Sequence, residues 1–376
     1  MNEKIKSYIK NNEELFFKTL KELCLIPSPS HFEGKRAEYC KNWLEKNGAK
    51  GVYIDKALNT VFPINCEESS KITTFVAHTD TVFPDTEPYP YFDDGEKIHC
   101  PGVADDAASV VCLLLTAKFF IENNIKAENG IMFVLNSCEE GLGNLKGTRQ
   151  IFNDYATRIE TFISVDCALE KISHNSVGST RYEVTATTEG GHSFHKFGNA
   201  NAIAVLSEIV TELYKIKVPQ KENTKTTYNV GIIEGGTSVN TIAQNARMLC
   251  EYRSNDKECL DIMEKEFKAV FEKFENQVDL KVKVIGERPC SITPRQKIEA
   301  LEQKIVPIVE DAIGKEVTFI SSSTDCNIPL SLGIPALCIG SCRYEGMHTR
   351  EEWLEKESVK KGLEIVIKSA LKLVEE

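Results

Sequence analysis

Residues 72–80 read ITTFVAHTD. Ile72 to Ala77 are β-branched, aromatic or small and apolar, which suits a strand buried on both faces. The run stops at His78-Thr79-Asp80, where the side chains become imidazole, hydroxyl and carboxylate. The same pattern recurs twice: Ile131 to Leu135 (IMFVL) leads to Cys138-Glu139-Glu140-Gly141, and Phe162 to Val165 (FISV) to Asp166. Helical patterns lie between, so strands and crossover helices alternate from Tyr39 to Val165. The expected fold class is therefore α/β, a mostly parallel sheet flanked by helices. Ligands bind beyond the carboxyl ends of such strands, so three strands deliver their polar groups to one edge.

Near Gly178 the pattern changes. A strand (Arg181 to Thr188), a helix (Asn201 to Ile216), two strands (Thr226 to Ile233 and Ala246 to Arg253), a helix (Cys259 to Phe274) and a strand (Leu280 to Ile285) follow one another. This β-α-β-β-α-β order is that of a ferredoxin-like α+β unit. Patterning of the first kind resumes after Pro289, with a helix at Ile298 to Ile313 and the apolar strand Ile334 to Ile339 (IPALCI). The expected division is one domain from residues 1–178 and 290–376, interrupted by an inserted domain at 179–289.

A chain of 376 residues with 41% apolar side chains is long enough for two cores. Its 45 basic and 56 acidic side chains leave a formal charge of −11, which disfavours nucleic acid and anionic lipid as partners. Residues 1–23 carry charges throughout, unlike a secretory signal, and read as an amphipathic surface helix. Nowhere do apolar residues run long enough to span a membrane. A cytoplasmic protein is expected. The thirteen cysteines are odd in number, scattered and mostly set in apolar runs, so they read as small buried hydrophobes. Cys338 and Cys342 are close together but have no second pair to complete a tetrahedral zinc site.

Several residues carry chemistry. His78 and Asp80, two apart, face the same side of an extended chain, and Asp80 either orients the imidazole or binds a metal itself. A turn role is the plainer reading. Asp105 and Asp106 stand before the apolar helix Ala107 to Leu115 (AASVVCLLL), either as caps or with Asp105 as a carboxylate shared by two cations. Glu139 and Glu140 follow a buried strand and precede Gly141, where the chain is free to turn. One of the pair can ligate metal while its neighbour faces a reacting water. Glu351-Glu352 reads by contrast as an ordinary surface pair. Asp166 and His348 complete a donor set suited to zinc.

The succession His78-x-Asp80, Asp105, Glu139-Glu140, Asp166 and a late His348-Thr-x-x-Glu352 resembles the dinuclear zinc family of peptidase T, dipeptidase V, carnosinase-type dipeptidases, glutamate carboxypeptidase, acetylornithine deacetylase and succinyl-diaminopimelate desuccinylase. The likeness spans nearly the whole chain. It implies that Asp105 bridges two divalent ions, zinc or else cobalt or manganese. Glu140 and His348 would complete one site, His78 and Asp166 the other. It further implies a cis Asp105-Asp106 peptide, Glu139 as general base and Asp80 as the orienting acid. Gly190-Gly191-His192-Ser193-Phe194 resembles the segment whose histidine reaches a partner subunit's site in a homodimer, and Asn240 and Arg253 resemble substrate-holding positions. Taken alone, these three read as a turn histidine, a loop asparagine and a strand-end arginine.

The resulting expectation is a metal-dependent hydrolase cleaving an amide bond in small peptides. In the family, aspartate at the position of Asp166 goes with aminopeptidases and dipeptidases, and Val103 to Asp106 (VADD) and Ser323 to Asp325 (STD) look like the peptidase T branch. Ala107-Ala108-Ser109 departs from the family's usual lysine or glycine run. The alternatives are an N-acyl amino acid deacylase and a non-catalytic metal- or peptide-binding protein. No nucleophile elbow points to a serine or cysteine hydrolase.

Overall fold

The computed structural model describes residues 2–67, 69–155 and 157–374. The chain divides into two compact units, Met1–Ser176 with Ile292–Glu376, and Val177–Ser291.

The first unit is built on an eight-stranded sheet. Its strands are β1 (Tyr53–Ile54), β2 (Thr60–Ile64), β3 (Ile72–His78), β4 (Gly130–Asn136), β5 (Ile159–Ala168), β6 (Lys171–Ser176), β7 (Thr318–Ser322) and β8 (Ala336–Cys342). They lie in the order β1-β2-β4-β3-β5-β8-β6-β7. The central four, β4-β3-β5-β8, are parallel, while β2 and β6 are antiparallel to their inner neighbours. Every residue of β3, β4 and β8 is buried, as the unbroken apolar runs require. The helix Ala108–Glu122 is buried all round as far as Phe120 except at Lys118. It packs against β3, β8 and the C-terminal helix Ser358–Val374.

The N-terminal segment differs from the single surface helix expected. It forms two helices, Asn2–Asn11 and Glu13–Cys24. The break falls at Asn12, whose side-chain amide donates to the carbonyl of Tyr8, a local bond of the kind by which asparagine competes with helix. Ile5, Tyr8, Phe16, Leu20 and Leu23 are buried in the core.

The second unit is a four-stranded antiparallel sheet, in the order Thr226–Gly235, Asn245–Ser254, Gly178–Thr187, Asp279–Arg288. The helices Ala202–Leu213 and Lys257–Glu272 bury Leu206, Ile209, Met263 and Phe267 with Val184 and Met248 of the sheet. Asn201 caps the first helix by accepting the N–H groups of Ile203 and Ala204, and Asp256 caps the second. The chain order is the ferredoxin-like one. All thirteen cysteines are free and buried, Cys338 and Cys342 within β8. No helix among the described residues is long and apolar enough to cross a membrane.

Candidate metal centre

His78 ends β3, Asn136 ends β4 and Asp166 stands near the end of β5, and these three parallel strands are neighbours. Their carboxyl ends therefore open on one edge of the sheet, with Glu139 and Glu140 just beyond β4. At that edge Asp80 is a hub. Its Oδ1 lies 3.4 Å from Nδ1 of His78 and accepts the N–H of Glu139 at 3.0 Å. Its Oδ2 accepts the N–H of Glu140 at 2.9 Å and the Ser30 hydroxyl at 2.7 Å. One carboxylate thus sets both the imidazole and the backbone of the two glutamates.

The chain turns sharply around those glutamates, with positive φ at Cys138 (57°) and Gly141 (49°). Glu33, fully buried, accepts the N–H of Cys138 at 3.0 Å and holds that bend. Asp325, also fully buried, takes a hydrogen bond from the Asn136 amide at 2.7 Å and another from the Thr148 hydroxyl, tying the end of β4 to the following helix.

Asp105 enters from the loop before the buried helix. The Asp105-Asp106 peptide is cis. Neither aspartate caps the helix: both have non-helical dihedrals and Ala107 stands at the cap position. Asp106 instead accepts the N–H of His78 at 3.0 Å. Glu352 corrects the reading of Glu351-Glu352 as a surface pair, since it is only 1% exposed. Its carboxylate accepts the N–H groups of Gly102 (2.7 Å), Ala104 (2.8 Å) and Asp105 (3.1 Å). Gly102 has φ 75°, and a Cβ there would sit 2.7 Å from Thr81 Cγ2, so the loop needs glycine at that point.

The structure brings His78, Asp105, Glu140, Asp166 and His348 together. Asp105 Oδ1 lies 2.9 Å from Nε2 of His78, and Oδ2 lies 3.0 Å from Nε2 of His348, which is 3.2 Å from Glu140 Oε1. Donor atoms of His78, Asp105 and Asp166 fall within 4.8 Å of one another, as do those of Asp105, Glu140 and His348, and of His78, Glu139 and Glu140.

Burial works against charge at these carboxylates. It pushes Asp166 well above the ordinary carboxylate range and, with Asp105 alongside, pushes Glu140 up to about 7. Burial also raises Asp105, but the imidazoles of His348 and His78 outweigh it and hold that carboxylate low. His348 is raised to about 10 by Asp105 and Glu140, and His78 is raised against its own burial by Asp105 and Asp80. A buried nest of acids that lifts both imidazoles attracts positive charge, for which protons and divalent cations compete. Imidazole nitrogens and carboxylate oxygens suit zinc and accept cobalt or manganese, so the residues fit a metal.

The remaining candidates lie in the second unit. His192 pairs with Thr241, and the carbonyl of Asn240 accepts the N–H of Ser193, so His192 and Asn240 share one loop cluster. Arg253 does not join them. It stands near the far end of Asn245–Ser254, and its guanidinium forks onto Glu251 at 2.7 and 2.9 Å. Residues two apart on a strand share a face, which places that acid beside it.

Ser30 and Glu33, which no sequence pattern marks, support the site through residues distant in the chain. Asp106 and Asp325, read from the sequence as a helix-cap candidate and as the end of the Ser323 to Asp325 run, support it through His78 and Asn136.

The profile of peptidase family M20/M25/M40 matches residues 74–372. The chain is 26% identical to uncharacterized protein YqjE of Bacillus subtilis, over 95% of this chain and 97% of that one. It is 23% identical to succinyl-diaminopimelate desuccinylase of Rickettsia typhi, over 63% of this chain and 67% of that protein. A tripeptidase structure from Staphylococcus aureus superposes with a TM-score of 0.76 at 21% identity, covering 96% of this chain and 98% of the other. At that identity the likeness speaks for the fold.

Proposed function

The chain belongs to peptidase family M20/M25/M40, and from that premise we propose that it is a cytoplasmic two-metal aminopeptidase acting on di- or tripeptides. The observation that carries the reading is Asp105, whose two oxygens face two different imidazoles. His78 and Asp166 would hold one ion and Glu140 and His348 the other, with Asp105 shared. Zinc is the metal this donor set favours. Such ions, when bound, polarise an amide carbonyl and make water more acidic.

The protein's own groups do the rest. Glu139 takes the proton of the attacking water and returns it to the leaving amine. Its burial keeps bulk water away, and the bond from its N–H to Asp80 fixes where it stands. Asp80 orients His78. His192 and Asn240 belong to the substrate side in this reading, His192 at the developing oxyanion of its own or a partner's site. Arg253, paired with Glu251, would have to exchange partners to bind a substrate carboxylate. Thirteen free, buried thiols suit a reducing compartment. A homodimer formed through the inserted unit completes the proposal.

N-acyl amino acid deacylation is the second reading, favoured by the likeness to the desuccinylase. A panel of tripeptides with free and acetylated amino termini, together with N-acetyl and N-succinyl amino acids, assayed with zinc, cobalt and manganese, separates the two. An aminopeptidase should refuse every blocked substrate, and turnover confined to blocked ones would overturn the proposal in favour of the deacylase. Glu139→Ala should lose about 10²–10⁴-fold in kcat while keeping its metal. Near wild-type turnover in that variant would remove Glu139 from the base role.

A further inference from the structure

We propose that Arg350 is a positioning residue for His348, fixing, together with Asp85, the turn that carries one of the two metal-binding imidazoles. The inference rests on the two-metal reading above.

The two imidazoles are held very differently. His78 is 1% exposed and its Nδ1 lies 3.2 Å from the carbonyl of Asp80 and 3.4 Å from that residue's Oδ1. The His348 side chain is 50% exposed and its backbone has φ 62°. Its Nε2 meets Asp105 and Glu140, and among the described residues no hydrogen-bond partner reaches its Nδ1. A metal-binding histidine is ordinarily aimed through its second nitrogen. Here the aim has to come from the backbone on which the ring stands.

That backbone is tied at three points. Gly346 O accepts both the N–H (2.9 Å) and the hydroxyl (2.7 Å) of Thr349, closing a turn around His348. Glu352 fastens the far end to the Asp105 loop. Between them Arg350 crosses to a different segment, Phe83 to Tyr89, which follows closely on His78 and Asp80 in the chain. Its Nη1 and Nη2 fork onto Asp85 at 3.1 and 2.7 Å. Its guanidinium lies 4.1 Å from the ring centre of Phe83 and 5.5 Å from that of Tyr89, two rings set edge to face.

An exposed ion pair by itself contributes little. A planar fork locked on a carboxylate and set over an aromatic pair adds direction, which lysine cannot reproduce. Arg350 thereby ties the turn bearing His348 to the chain leaving His78, and its loss should loosen one imidazole while leaving the other in place.

The test is calorimetric titration of the full-length, metal-stripped protein with Zn²⁺, comparing wild type, Arg350→Ala, Arg350→Lys, Asp85→Asn and the double variant, with His348→Ala marking the equivalent that His348 serves. The marked equivalent should weaken about tenfold or more in each variant, with the other equivalent unchanged. Arg350→Lys should behave like Arg350→Ala, and the double variant like either single one. Wild-type affinities in both Arg350→Ala and Asp85→Asn, or equal weakening of both equivalents, would overturn the role of Arg350 alone. A wild-type protein that fails to take up two equivalents would overturn the two-metal reading and this inference with it.

Discussion

At the scale of single residues, Asp80 shows how one buried carboxylate organises a site. It accepts the N–H groups of Glu139 and Glu140 and the hydroxyl of Ser30, and it faces the ring of His78. Removing it leaves two buried donors without an acceptor, at about 1–3 kcal/mol each. Asp80→Ala should therefore lose several kcal/mol in urea unfolding, and kcat should fall about 10–100-fold or more as His78 loses its orientation. Asp80→Asn keeps the shape but presents an amide where one acceptor stood, so it should fall between wild type and Asp80→Ala in both measurements. Wild-type stability and turnover in Asp80→Ala would show that Asp80 organises nothing.

Among the elements, the C-terminal helix Ser358–Val374 lies so close to β8 that a Cβ on Gly362 would fall 1.7 Å from the carbonyl oxygen of Ser341. Helix propensity alone favours Gly362→Ala by about 1 kcal/mol. Packing opposes it, because backbone cannot move aside cheaply beneath a fully buried strand, and overpacking costs about 1–3 kcal/mol. The expected outcome is net destabilisation, read as a lower urea midpoint with an unchanged slope. A stabilised variant would show that the helix can slide, and with it the support of the helix Ala108–Glu122, whose Ser109 hydroxyl meets that of Ser341 at 2.8 Å.

For the molecule as a whole, the proposed dimer is a question about one edge. Thr226–Gly235 is an outer strand of the second unit's sheet, with Ile232 47% and Ile233 51% exposed. An apolar edge of this kind is normally covered or guarded by charge. Sedimentation velocity at micromolar concentration should give the mass of two chains, and Ile232→Lys with Ile233→Asp should give that of one. A wild-type protein that sediments as a single chain would remove the dimer, and with it any role for His192 in a partner's site.

The sequence by itself determined the parallel sheet, the ferredoxin-like order of the inserted unit and the placing of imidazole and carboxylate groups just past buried strands. Those features are local: period, β-branching and the abrupt change from apolar to polar are written in neighbouring residues. It also singled out His78, Asp105, Glu140, Asp166 and His348, through a likeness of order and spacing. Only the tertiary structure decided that Glu352 lies under the Asp105 loop, that Asp325 anchors the end of β4, that Arg253 is already engaged by Glu251, and that Arg350 rests on Asp85. Such contacts join segments far apart in the chain, and a glutamate or arginine reads the same whether it meets water or a distant backbone. What separates the two cases is burial, and burial follows from how the strands and loops pack, a property of the folded chain that no single window of residues contains.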